Sequence, residues 1–174
     1  MKVVCFAGYS GSGKTTLIER VIPEFRQRGL RVSTVKHAHH RFDIDYPGKD
    51  SYRHRAAGAF EVVVASDRRL ALIREFEQET RLSVHALIAR LDPCVDWVLA
   101  EGFKESDLPK IEVWRAATGE SARFPLDPTV LAVATDAPAS LPRPVRIPVL
   151  SLNDPAGVAR WLLRGSERFD YRAS

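Results

Sequence analysis

The run Gly8-Tyr9-Ser10-Gly11-Ser12-Gly13-Lys14-Thr15 has the spacing of a glycine, four residues, then Gly-Lys-Ser/Thr, which is the pattern of a phosphate-binding loop. Its chemistry follows from the residue types. Gly8, Gly11 and Gly13, with Ser10 and Ser12 between them, let main-chain N–H groups converge on phosphate oxygens where larger side chains would block the approach. A helix beginning at Lys14 adds its unpaired N–H donors and the positive end of its dipole. Lys14 is then expected to reach the β- and γ-phosphates, Thr15 to ligate a Mg²⁺ ion that bridges them, and Thr16 to help hold the α-phosphate.

Three further places carry chemistry. A second acidic group completes such a metal site from the end of a neighbouring strand, and Asp96-Trp97-Val98-Leu99-Ala100-Glu101-Gly102 offers Glu101 there. The plainer reading, a carboxylate capping a strand, stands beside it, and Asp96 begins the strand, too far from the phosphates. Lys36-His37-Ala38-His39-His40-Arg41-Phe42-Asp43-Ile44-Asp45 leaves the next strand at the same sheet edge. Here Asp43 or Asp45 acts on Mg²⁺ or the attacking water, or His37, His39 and His40 bind a transition metal, or the loop is simply solvated. Thr135-Asp136 closes another apolar run, so that Asp136 either accepts from the N1 and N2 donors of guanine or forms a turn before Ala137-Pro138. The Asn-Lys-x-Asp pattern of many GTPases is absent.

The elements that must position these groups alternate. Apolar β-rich runs at 2–7, 31–35, 95–100, 111–114, 130–134 and 148–152 read as strands, and a pair at 60–65 and 70–73 joins at Ser66-Asp67. Helical spacing marks 14–28, with Pro23 inside and Gly29 as its stop, then 84–91 capped by Ser83, and 155–163. A short helix after Pro47-Gly48 has Asp50 or Ser51 as its cap. Residues 136–148 are proline-rich and irregular. The fold class is therefore α/β, a P-loop NTPase with a mostly parallel central sheet flanked by helices. One domain spans 1–164 and a frayed tail follows from 165 to 174.

With 174 residues, 45% of them hydrophobic, the chain can bury one substantial core. The net charge of +4, from 26 basic against 22 acidic residues, suits an anionic small ligand and forms no arm for nucleic acid. Cys5 and Cys94 lack paired spacing and read as buried free thiols in a reducing compartment, while the short apolar start fits neither a signal peptide nor a membrane span. The expectation is a cytoplasmic protein. Trp97, Trp114 and Trp161 read as core.

Taken together, the sequence resembles the MobB family, the molybdopterin-guanine dinucleotide biosynthesis adaptor proteins, over about its first 115 residues. The resemblance rests on Gly8 to Thr16, on Lys36 to His40 with Asp43 and Asp45, on Pro47-Gly48-Lys49-Asp50-Ser51-Tyr52-Arg53 with Ala57-Gly58-Ala59, and on Glu101-Gly102-Phe103-Lys104 with Pro109-Lys110-Ile111-Glu112. One departure is Ala38, where the family carries a hydroxyl residue. The resemblance implies a GTP-binding homodimer that hydrolyses slowly and assists the guanylyltransferase joining GMP to molybdopterin. It implies Mg²⁺ and GTP as cofactors, and the transferase or molybdopterin itself as partner. No arginine is visibly placed as an internal finger, with Arg53 and Arg55 the nearest candidates. Two other readings compete: a P-loop small-molecule kinase, and a metal-delivery GTPase using the three histidines.

Overall fold

A computed structural model describes residues 1–38 and 42–172. The strands are β1 (Lys2–Ala7), β2 (Val32–Lys36), β3 (Glu61–Ser66), β4 (Arg69–Arg74), β5 (Trp97–Glu101), β6 (Lys110–Val113), β7 (Val130–Thr135) and β8 (Val149–Ser151). The α-helices are α1 (Lys14–Arg26), α2 (Asp50–Ala56), α3 (Val84–Ile88) and α4 (Pro155–Arg164). The chain divides into two compact units, Met1–His37 with Ser83–Ser174, and Ala38–Leu82. This is a finer division than the one domain read from the sequence.

The first unit is built on a six-stranded sheet in the order β2-β5-β1-β6-β7-β8, and every adjacent pair is parallel. Strands β1 and β5 are apolar on both sides because both faces are covered. Val4 and Phe6 of β1, Trp97 and Leu99 of β5 and Ile111 and Val113 of β6 meet Leu17, Val21 and Phe25 of α1 and Val158 and Leu162 of α4. The alternate residues Val3, Cys5, Ala7, Val98 and Ala100 meet Val84 and Ile88 of α3 on the opposite face. Alternation along each strand thus sorts its side chains into two cores. Burial pushes the Cys5 thiol up to about 12, so it stays protonated and inert.

Some local expectations hold and others change. Pro23 is accommodated inside α1, and Gly29 follows the helix at φ 76°. The helix after Ser83 is shorter than expected, ending at Ile88; Ser83 Oγ does accept from the Ala86 N–H at 3.1 Å. Cys94 is exposed rather than buried, because it sits in a turn where its N–H donates to Asp92 Oδ1 at 2.8 Å. The tail is not frayed through its described length. Ser166–Phe169 form a 3-10 turn, and the Phe169 ring packs 5.5 Å from Trp97 and 5.9 Å from Trp161, burying an aromatic that an untethered tail would expose.

The second unit is small. Its β3-β4 hairpin is antiparallel, pairing Glu61 with Arg74 through to Ser66 with Arg69. The cap of α2 is Lys49, with no side-chain bond, because Ser51 Oγ donates instead to Asp45 Oδ1 at 3.0 Å.

Candidate functional site

Register fixes the site. Lys36 of β2 and Phe6 of β1 both align with Glu101, and Ala7 aligns with Glu112, so the carboxyl ends of four neighbouring strands come level. Gly8 leaves β1 there, where chain order reverses across the sheet and α/β folds hold their ligands. A Cβ on Gly8 would stand 2.3 Å from the Val113 carbonyl oxygen, and its φ is 150°, so glycine alone lets the loop pass β6. Gly13 turns the loop into α1 at φ 94°.

The helix start is open to an anion. No side chain caps α1 and no acidic residue lies in its first turn, whereas α4 begins with Asp154 accepting from the Gly157 N–H at 2.8 Å. The free N–H donors of α1 and its dipole therefore remain for a phosphate. Lys14 Nζ donates to the Tyr9 carbonyl at 2.5 Å and is 3.5 Å from Ser12 Oγ, so the ammonium is folded back over the loop. Burial holds it below the ordinary lysine range; Glu101 opposes that shift, and Lys36 and Lys104 add to it.

Thr15 and Glu101 come together as the sequence suggests. Thr15 Oγ1 donates to Glu101 Oε1 at 2.7 Å, and the Glu101 side chain is only 13% exposed. Lys36 Nζ lies 3.0 Å from the same carboxylate oxygen and 3.4 Å from Thr15 Oγ1. Two hard oxygens in contact, with an ammonium already drawn to them, form a donor set that fits Mg²⁺, which takes one or two protein oxygens and completes its shell with phosphate and water.

Asp43 and Asp45 are gathered within the second unit. Arg55 Nη1 and Nη2 grip Asp43 at 3.0 and 3.1 Å, Nη1 reaches Asp45 at 3.3 Å, and Nε reaches Glu75 at 2.8 Å. The Asp45 N–H also donates to Asp43 Oδ1 at 2.9 Å. Bonds from Arg55 hold the Asp43 carboxyl below its usual range. Of the histidines, His37 donates its main-chain N–H to the Glu101 carbonyl and sets its ring 5.5 Å from Phe103. His39 and His40 lie outside the described residues. Among the described residues no group of three His, Cys, Asp or Glu side chains could hold a metal.

At the end of β7, Asp136 Oδ2 is 3.1 Å from Arg115 Nε. The Arg115 guanidinium carbon in turn lies 3.5 Å from where a Cβ on Gly13 would be, against the start of α1. Sequence reading missed this arginine; its signal was its place two residues beyond β6, at the edge already holding the loop. It named Lys104, whose Nζ sits 4.9 Å above the Tyr9 ring, and Lys36, which ends the strand that aligns with Glu101, only within longer motifs and gave neither an individual role.

A family model described as MobB, molybdopterin guanine dinucleotide synthesis protein B, matches residues 3–136. This chain belongs to the MobB family. It is 39% identical over 168 residues to the molybdopterin-guanine dinucleotide biosynthesis adapter protein of Escherichia coli strain K12, covering 95% of this chain and 94% of that one. It is 43% identical over 137 residues to the Haemophilus influenzae protein of the same name, covering 78% and 75%. Among solved structures it is similar to a MobB homolog from Bacillus stearothermophilus, with a TM-score of 0.72 at 28% identity over 96% of this chain and 99% of that one. Bacillus subtilis MobB gives 0.71 at 25% identity over 99% and 100%. The MobB match thus contains the loop, Lys36, Glu101 and Asp136 together, and no helix among its described residues is long and apolar enough to cross a membrane.

Proposed function

We propose that this chain is a GTP-binding adaptor in the cytoplasm that assists guanylyl transfer to molybdopterin, and that it hydrolyses GTP slowly. The observation that carries the nucleotide part is the uncapped start of α1 under Lys14, with Thr15 and Glu101 in contact 2.7 Å apart beside it. Lys14 and the first-turn N–H groups bind the phosphates. Mg²⁺, when bound with the nucleotide, neutralises the charge between the terminal phosphates, and Thr15 with Glu101 would hold it. Lys36, paired with Glu101 at 3.0 Å, would have to yield that oxygen to a metal.

Guanine selection falls to Asp136, which engages Arg115 through Oδ2 and has Oδ1 for the base. Asp43 and Asp45 are held by Arg55 within the second unit and would be free to act on a metal or a water only once that pairing opens. The adaptor part is supported by membership of the family and by the names of its relatives. A homodimer is supported by the hairpin of the second unit, where Val63, Val64, Leu70 and Leu72 are all exposed.

The test is reconstitution of guanylyl transfer from the transferase, molybdopterin and Mg·GTP with and without this chain. Higher yield with the wild type and none of that gain with Thr15→Ala is expected. Equal yields with and without the wild type would overturn the adaptor reading.

A further inference from the structure

Charge around the phosphate loop does not balance. Lys14 has one carboxylate, Glu101, and two further lysines, Lys36 and Lys104, as its charged neighbours, and Lys36 already pairs with Glu101. Lys104 pairs with no carboxylate among the described residues; its ammonium rests on the face of Tyr9, inside the loop itself. A half-buried lysine held only by a ring is held weakly compared with one that meets a phosphate oxygen.

Its position is built rather than incidental. After Glu101 the chain turns through Gly102 at φ 101° and Phe103 at φ 22°. The second value is uncommon for a residue with a side chain, and such strain persists only where the surroundings impose it. The turn is closed by the Ser106 N–H donating to the Phe103 carbonyl at 2.9 Å. Tyr9 is also approached by Arg123, whose main-chain N–H is fixed by the buried carboxylate of Glu112 at 2.7 Å. Two cations from two different loops thus converge on one loop tyrosine.

The two ends of the loop differ. Arg115 lies against Gly13, where the helix begins. Lys104 lies against Tyr9, whose carbonyl receives the Lys14 ammonium, and that ammonium is the group that reaches the phosphates farthest from the base. Resting on the nucleotide-binding reading above, we propose that Lys104 recognises the terminal phosphate of a nucleoside triphosphate, lying on the Tyr9 ring until that phosphate draws it off. A diphosphate leaves Lys104 on the ring. The pair therefore lets the loop distinguish the triphosphate from the diphosphate, with Lys104 as the specificity-determining residue.

The test is calorimetric titration of the full chain with GTP and with GDP, each with Mg²⁺, for the wild type, Lys104→Met and Lys104→Arg. Lys104→Met is expected to lower GTP affinity about 10-fold while GDP affinity stays within about twofold, and Lys104→Arg, which keeps the charge, to recover most of the preference. An unchanged GTP-to-GDP ratio in Lys104→Met, or equal loss of both nucleotides, would sink the role of Lys104 while leaving the phosphate site standing. Wild-type protein that binds neither nucleotide would overturn both.

Discussion

The two units handle charge in opposite ways. Around the phosphate loop, Lys14 has two lysines and one carboxylate beside it and the first turn of α1 has no cap, so positive charge and N–H donors are left over. In the second unit, three carboxylates face one arginine, and Arg55 is engaged through all its nitrogens by Asp43, Asp45 and Glu75. The first arrangement has cationic and N–H donor capacity to spare; the second is closed on itself. Unsatisfied charge marks where a ligand belongs, whereas a satisfied network marks a group that must first be released before it can act.

That contrast can be broken at several points. The largest effect is expected from Gly8→Ala, which forces a side chain against the Val113 carbonyl in a left-handed backbone. Unfolding free energy should fall by about 3 kcal/mol in chemical denaturation. Next comes Lys14→Ala, which should weaken GTP about 100-fold in calorimetry by removing a charge-assisted contact, with only a small loss of melting temperature from the bond between Nζ and the Tyr9 carbonyl. Loss of the fold in that variant would mean that Lys14 is structural.

Glu101→Gln sharpens the contrast at the metal. The roughly 10-fold gain in GTP affinity expected from Mg²⁺ in the wild type should shrink to nearly nothing, and a full Mg²⁺ response in the variant would remove Glu101 from the metal site. Asp136→Asn should weaken GTP about 10-fold more than ATP, since an amide has one acceptor oxygen and cannot serve both Arg115 and the guanine donors. Equal losses for the two nucleotides would take Asp136 out of base recognition.

The smallest effect belongs to the closed network. Arg55 lowers the Asp43 carboxyl from its ordinary 3.8. Its contribution to stability is therefore present above that pH and is lost as pH falls below it, through the lowered value. Melts between about pH 2 and 5 should show this acid limb in the wild type and a shallower one in Arg55→Ala. Identical limbs would show that Arg55 does not hold Asp43 in solution.

Much of the first unit was legible because its physics is local and periodic. Apolar strands with glycines at their ends, and helices spaced for one face, gave the α/β sheet, and the loop spacing placed Lys14 and Thr15. Glu101 was legible because a strand end is readable even when its neighbours are not. Lys36, Lys104 and Arg115 were not, since each acquires its role from a partner distant in sequence: Glu101 for Lys36, Tyr9 for Lys104, Gly13 and Asp136 for Arg115. The docked Phe169 escaped notice for the same reason, because its ring packs against Trp97, far from it in sequence.

The central claim is that the loop from Gly8 to Thr16 binds a Mg²⁺-bound nucleoside triphosphate and prefers guanine. Calorimetric titration of the wild type with GTP and ATP, each with and without Mg²⁺, tests it most directly. Stoichiometric GTP binding that weakens without Mg²⁺ and exceeds ATP binding is the predicted result; no binding of either nucleotide, or a preference for ATP, would contradict it.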